Sequence, residues 1–201
     1  MSDTQKGQVD IYNPVEVEQT SADPVVEAFH AGKLLVYPTE AVMGIGCDPD
    51  NKEAVELLLQ TKQRSVEKGV ILIAANYSQL LPYVNDEAVL QHRRTDIFSS
   101  WPGSITWLLP KSKTAPYWIT GSHDKIAVRV TNHPLVADLC NKVGKPIVST
   151  SANLAGQSPT LSIEEARSVF EDSVTYVNGE VGGNKKPSTI RDGDTGEIIR
   201  S

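Results

Sequence analysis

The sequence predicts an α/β fold built on a mixed sheet, and three observations carry that expectation. Stretches of helical period alternate with a larger number of short β segments. Val70-Ile-Leu-Ile-Ala74 is apolar at every position, the pattern of a strand covered on both faces. Pro146-Ile-Val runs directly into Ser149-Thr150-Ser151-Ala152-Asn153, so a buried strand delivers hydroxyls and an amide to one sheet edge.

The elements follow from local signals. Asp23-Pro24 opens a helix, with proline in its first turn, and Gly32 closes it. Residues 33–37 read as a strand stopped at Pro38. Asn51 can cap a helix to about residue 61, with Ala54, Leu57, Leu58 and Thr61 on one face. The strand at 70–74 comes next, then a helical stretch from about 86 to 98. Residues 104–109 and 126–130 read as strands. Residues 133–143 read as a helix ending at Gly144, and the strand at 146–150 follows. A loop leads to a helix from 162 to about 170, and short strands are expected at 174–177 and 188–191. No internal repeat or low-complexity linker marks a second domain. The expected organisation is a polar N-terminal segment over 1–20 and one domain over 21–201.

Composition narrows the function classes. The chain has 201 residues, a hydrophobic fraction of 39% and a net charge of −6. No apolar run approaches the length of a membrane helix, and the first residues are polar, so a soluble cytoplasmic protein without a membrane partner is expected. Cys47 and Cys140 form no CxxC pair and are expected to be reduced and buried. The four histidines show no metal-ligand spacing, so no protein metal site is expected. The net charge argues against constitutive nucleic-acid binding, but its distribution is uneven. Residues 1–60 carry 3 Lys/Arg and 11 Asp/Glu, whereas residues 104–150 carry 6 and 2. A locally basic region can attract phosphates on an acidic molecule; scattered, solvated lysines are the plainer alternative.

Two clusters share a period of two. Ser149, Ser151 and Asn153 can line one wall, and Lys62-Gln63-Arg64 places two cations in the same spacing. Hydroxyls and an amide beside a guanidinium fork suit a polyphosphate. On a continuing helix, positions two apart face nearly opposite ways, so both cations serve one ligand only if the chain leaves the helix there. An exposed helix C-terminus, where cations favour the dipole, remains the alternative. Likewise, Ser and Asn at a strand end can simply be caps. Tyr37-Pro38-Thr39-Glu40 puts Thr39 at the carboxyl edge of a strand, where α/β sheets bind ligands. Trp101-Pro102-Gly103 and Pro187-Ser188-Thr189 are turn chemistry at strand starts. The sequence contains no GxxxxGK[ST] or GxGxxG loop, no GxSxG arrangement and no evident carboxylate pair. The expected site therefore positions and neutralises phosphates and does no covalent acyl chemistry.

In these residues the chain resembles the YrdC family. The resemblance rests on Thr39 in Tyr-Pro-Thr-Glu, Lys62-x-Arg64, Pro102-Gly103 with Thr106, and Ala127-Val-Arg129. It continues through Ser151-x-Asn153 within Ser-Thr-Ser-Ala-Asn-x-x-Gly and Pro-Ser188-Thr189, and it spans about Val25 to Arg200. It implies a twisted mixed sheet flanked by helices, curving around a large basic concave cavity. It also implies a threonylcarbamoyl-adenylate synthase, a nucleotidyltransferase that joins L-threonine, bicarbonate and ATP with Mg2+ and releases pyrophosphate. The product passes to a partner complex that modifies the adenosine beside the anticodon of tRNAs reading ANN codons.

By the same resemblance, Lys62, Arg64, Ser151 and Asn153 form the catalytic set on the ATP phosphates, with Thr106 and Arg200 also at the nucleotide. Thr39, Arg129, Ser149 and Ser188 surround the threonine. The chain departs from the family after Arg64, where Ser65 replaces a frequent Pro. Lys68-Gly69-Val70 stands where longer members have Asn-Pro-Leu followed by a His. The rival class is a non-catalytic RNA-binding factor using the basic surface for tRNA or rRNA. Aromatic content of 6% and negative net charge weigh against it.

Overall fold

Asp23 accepts a hydrogen bond from Val25 N at 3.0 Å and starts helix α1 (Pro24–His30), as its cap residue and proline foretell. The structure, a computed structural model, describes residues 23–184 and 186–201; the polar segment expected over 1–20 lies outside them. The elements that follow are β1 (Leu35–Pro38), β2 (Met43–Cys47), α2 (Lys52–Thr61), β3 (Ile71–Ala74), α3 (Arg94–Ser99) and β4 (Ile105–Pro110). Then come α4 (Tyr117–Thr120), β5 (Lys125–Val130), α5 (Pro134–Val143), β6 (Ile147–Ser151) and α6 (Ile163–Phe170). β7 (Thr175–Tyr176), β8 (Thr189–Asp192) and β9 (Ile198–Arg200) complete a nine-stranded sheet. Its strand order is β7-β1-β2-β6-β3-β5-β4-β8-β9. The pairs β1–β7, β3–β5 and β4–β8 are parallel and the remaining five antiparallel, so the sheet is mixed, as expected.

Both faces of the sheet carry apolar side chains, and strand alternation sorts them. Val36, Ile45, Leu72, Ala74, Val128 and Val148 join the larger core, with Ala54, Val55, Leu58 and Leu59 of α2. Leu35, Tyr37, Ile73 and Ile147 face the other way, under Phe29 of α1 and Val136, Leu139, Cys140 and Val143 of α5. Each large aliphatic side chain buried in this way is worth roughly 1.5–3 kcal/mol. Ser149 is two residues beyond Ile147, and Arg129 is paired with Ile73, so the sheet presents both on the α1/α5 face. Part of that face is left uncovered by these helices and lines the cavities described below.

Several sequence expectations are corrected. The buried stripe of α2 is Ala54, Val55, Leu58 and Leu59, while Leu57 is 46% exposed. The helix expected over 86–98 is two 3₁₀ turns, Asp86–Ala88 and Gln91–Arg93, followed by α3. Val89, buried between the turns at extended ψ, breaks the run. β2, α4 and β9 were not expected. In β2, Gly44 and Gly46 hide the strand signal, because glycine has low β-propensity. Packing requires the second of these glycines: a Cβ on Gly46 would lie 1.8 Å from the Val148 carbonyl oxygen. Gly46→Ala is therefore expected to cost about 3 kcal/mol, the upper end of overpacking penalties, read as a lowered urea midpoint. A loss below about 1 kcal/mol would show that β2 and β6 part easily.

Cys47 and Cys140 are free and buried, in agreement with the sequence reading. Among the described residues no helix is long and apolar enough to cross a membrane.

Candidate active site

Two cavities open where the strands end, one of about 540 Å³ and one of about 160 Å³. They share Ile71, Ser149, Thr150 and Arg200, so they meet over the C-terminal half of β6.

The smaller cavity is built around an ion pair. Arg129 Nη1 lies 2.6 Å from Glu40 Oε2, and both side chains are 8% exposed. Glu40 Oε1 accepts from Thr131 Oγ1 at 2.7 Å and from the Asn132 amide at 3.3 Å. Burial by itself would raise the Glu40 carboxyl. The charge of the Arg129 guanidinium, with the hydrogen bond from Thr131, instead holds it below its usual value. Arg129 Nε and Glu40 Oε2 are both buried without a hydrogen-bond partner among the described residues.

Glu40 is held in place because Pro38 ends β1 and Thr39 closes a turn through its hydroxyl on Val42 O at 2.8 Å. The 182–184 stretch lies across that turn, with Gly182 N donating to Thr39 O at 2.8 Å and Asn184 N to Glu40 O at 3.0 Å. Thr39, Ser149 and Ser188 all line this cavity with Arg129, so four residues far apart in sequence are brought together. Thr106, expected at the nucleotide, is fully buried and lines neither cavity. Its hydroxyl donates to Ser188 Oγ at 3.0 Å, which makes it a support for the small cavity.

The larger cavity pairs an apolar floor with a cationic rim. Val70, Leu108, Ile119, Ile126 and Ile190 supply the floor. Arg64, Lys68, Lys125 and Arg200 bring cations. Lys125 is neutralised by Asp192 and Asp194, each at 2.7 Å. Arg64 donates from Nε and Nη2 to Gly69 O at 3.2 and 2.9 Å, which leaves Nη1 without a partner among the described residues. Burial first, and then the nearby Arg200 cation, pull the Arg64 pKa down. Two like charges facing one volume relax when an anion enters it.

Lys62 and Arg64 do diverge from the helix. Lys62 is the C-cap of α2, and Gln63 takes a left-handed φ of 45° that turns the chain. The two cations nevertheless reach different places. Lys62 Nζ donates to Ser151 O at 2.7 Å, Asn153 O at 2.7 Å and Asn153 Oδ1 at 2.8 Å. Ser151 Oγ donates to the same Oδ1 at 2.6 Å. Asn153 Nδ2 donates to Leu154 O and Gln157 O at 2.9 and 2.8 Å. Lys62 and Asn153 line neither cavity, and Ser151 lines only the smaller. Burial and, secondarily, the Arg64 charge lower the Lys62 ammonium to about 8, while its three acceptors favour the charged form.

Sequence reasoning missed Glu40 and Lys125 as parts of the site. Glu40 adjoins Thr39 after a strand-ending proline, and a carboxylate at that edge was a usable signal. Lys125 had no signal beyond the locally basic stretch. The described residues hold no group of three or more His, Cys, Asp or Glu side chains placed to bind a metal ion.

This arrangement can hold a small zwitterion on a buried arginine beside a larger ligand that has an apolar part and an anionic part. Residues 27–201 match the Sua5/YciO/YrdC family model, described as Telomere recombination. The chain is 58% identical over 178 residues to a threonylcarbamoyl-AMP synthase of Pseudoalteromonas atlantica, covering 89% of this chain and 95% of that protein. It is similar to the crystal structure of P. abyssi Sua5 complexed with L-threonine, with a TM-score of 0.78 and 28% identity over 84% of this chain. The chain spans about half of that protein, 49% of its length. It is also similar to the crystal structure of E. coli YciO, with a TM-score of 0.76 and 28% identity over 89% of this chain and 87% of the other.

Proposed function

The chain belongs to the Sua5/YciO/YrdC family, and on that premise we propose that it is a threonylcarbamoyl-AMP synthase, a nucleotidyltransferase acting on L-threonine, bicarbonate and ATP. The observation that carries this reading is the junction of the two cavities at Ser149, Thr150 and Arg200. An amino acid held by Arg129 and a nucleotide lying on the apolar floor would meet there, which is the proximity a two-anion reaction needs.

The chemistry balances as two steps. The threonine amine condenses with bicarbonate, losing water, to give a carbamate. A carbamate oxygen then attacks the α-phosphorus as the bond to the β-phosphate oxygen breaks, and pyrophosphate leaves. The chain's part is to bind, orient and neutralise. Arg129, steadied by Glu40, takes the threonine carboxylate bidentately, with Thr39, Ser149 and Ser188 around the rest of the molecule. Arg64, Lys68 and Arg200 face the phosphates, and Arg200 reaches both cavities. Fixed cations at the point where charge shifts from carbamate to pyrophosphate stabilise the transition state without reorganising. Mg2+ would be carried by the nucleotide's phosphates and would supply charge neutralisation there. The product would pass in the cytoplasm to a tRNA-modifying complex that forms N6-threonylcarbamoyladenosine.

The test is pyrophosphate release from ATP with each co-substrate omitted in turn. Release is expected only with threonine and bicarbonate together. Serine should be poorer by roughly 1–3 kcal/mol, the worth of one methyl group in a pocket. Equal release without any amino acid would sink the reading, and RNA retention without turnover would favour the binding-factor alternative.

A further inference from the structure

We propose that His133 is a positioning residue of the small cavity: its imidazole pins the 178–184 stretch over Glu40 and so holds the outer wall against which threonine is seated, a role that rests on the threonine reading above. That wall comes from the connection between β7 and β8. The sheet order sends this connection from one edge of the sheet to the strand beside the other edge. Asn184, Lys186, Pro187 and Ser188 on it line the small cavity. No described residue of 178–188 lines the large one.

Three hydrogen bonds fasten the stretch. Gly182 N donates to Thr39 O at 2.8 Å and Asn184 N to Glu40 O at 3.0 Å. The third joins His133 Nε2 to Glu180 O at 3.1 Å. A carbonyl oxygen only accepts, so this Nε2 carries its hydrogen. Among the described residues no other side chain bonds to 178–184, so the imidazole is the one fastening there that depends on a side chain. The seating is close: a Cβ on Gly182 would lie 2.7 Å from Glu40 O.

His133 is itself fixed from the other side of Glu40. It caps α5, with Ala137 N donating to its carbonyl at 3.0 Å. Its amide donates to Thr131 Oγ1 at 3.0 Å, and that hydroxyl gives its own hydrogen to Glu40 Oε1 at 2.7 Å. Contacts from His133 thus reach the Glu40 carboxylate through Thr131 and the Glu40 carbonyl through Glu180 to Asn184. They close a ring around the residue that steadies Arg129. Thr131 is 2% exposed and His133 9%, and polar groups buried so deeply depend on their partners for their geometry. His133 Nδ1 is buried without a partner among the described residues, which leaves the bond to Glu180 O as the imidazole's one polar contact there. Cutting that bond frees Glu180 and lets the Gly182 and Asn184 pairings fray. The outer wall then moves, while Arg129 stays on β5 and the large cavity keeps its lining. Threonine affinity falls, and nucleotide binding and the chemical step are kept.

Three measurements test this on the full chain. In ligand-free protein, His133→Leu should speed amide exchange at Gly182 and Asn184 at least tenfold. The Ala152 amide, bonded to Met43 O at 2.8 Å, should not change. A smaller increase, or an equal one at Ala152, overturns the tie. In pyrophosphate release, His133→Leu should raise the threonine KM at least fivefold, with kcat within threefold and the α,β-methylene-ATP dissociation constant within twofold. A smaller rise in KM, or nucleotide affinity falling beside it, overturns the positioning role. The His133→Gln side chain ends in an amide that can donate to Glu180 O, so its KM should be less than half that of His133→Leu. A KM at or above that half shows that the Nε2 hydrogen is not the cause.

Should His133→Leu fail to fold, the wild type decides by nitrogen–proton correlation spectra of the imidazole. The hydrogen should sit on Nε2 and exchange slowly with solvent. A hydrogen on Nδ1 with Nε2 bare, or fast exchange at Nε2, refutes the tie. If the wild type shows no turnover with threonine, the threonine reading falls, and the amide-exchange comparison, which contains no substrate, still decides whether His133 pins the stretch.

Discussion

Arg129→Ala is expected to raise the threonine concentration for half-maximal pyrophosphate release by roughly 100-fold, because truncating one partner of a buried charge contact costs 2–5 kcal/mol. Nucleotide binding by itself should change little, since Arg129 lines only the smaller cavity. The same change strands Glu40, whose side chain is 8% exposed. An uncompensated buried charge costs about 3–5 kcal/mol, so Arg129→Ala and Glu40→Ala should each lower stability by that order. The double variant should lose clearly less than the sum, and the difference in a double-mutant cycle measures the pair. Additive losses would mean that the two groups do not couple.

Acid dependence carries the same signature. Arg129 holds the Glu40 carboxyl in the folded protein below its ordinary value of 4.5. A depressed folded pKa means that the unfolded chain takes up the proton first, so the stabilisation is complete above about 4.5 and is lost as pH falls through the folded value. Glu40→Gln should flatten the fall in stability on acidification below 4.5. An unchanged acid limb in urea titrations at stepped pH would remove Glu40 from this role.

Arg64→Ala is expected to weaken ATP binding by between 10- and 150-fold, the range of a charge-assisted hydrogen bond at 1.5–3 kcal/mol. Arg64→Lys should recover only part of the loss, because an ammonium cannot replace the planar fork. Lys52→Ala is the control. Lys52 sits on the exposed face of α2, 3.6 Å from Glu56, and such a pair is worth little. Calorimetric titration with ATP separates the outcomes. If Arg64→Ala and Lys52→Ala behave alike, Arg64 is only a cation at a helix end.

Much of the fold was legible because its signals are local. Asp23 and Asn51 cap α1 and α2 through their own side chains, and Gly144 ends α5 in the left-handed conformation, each as its residue type suggests. The apolar run at 70–74 is a central strand with neighbours on both edges and cover on both faces, as unbroken hydrophobicity implies. β2 was not legible, because Gly44 and Gly46 are chosen for what they must avoid touching, which their own stretch of sequence does not record. The 86–98 segment misled because Arg94 reaches back to Asp86 at 3.0 Å and Val89 turns into the core, so tertiary contacts override a helical period.

The sequence by itself determined which residue types stand at the strand ends, that the sheet is mixed, and that one arginine stands on β5 and another just after α2. Only the tertiary structure decided how those groups are used. Glu40 meets Arg129 across 89 positions, and Lys62 meets Asn153 across 91. The same residue types are therefore tied up as internal supports or left with spare donors according to the partners the fold brings to them. The physical reason is that hydrogen-bond capacity is finite and partners are chosen in space. A motif records that a donor exists, and the fold determines whether it is still unused.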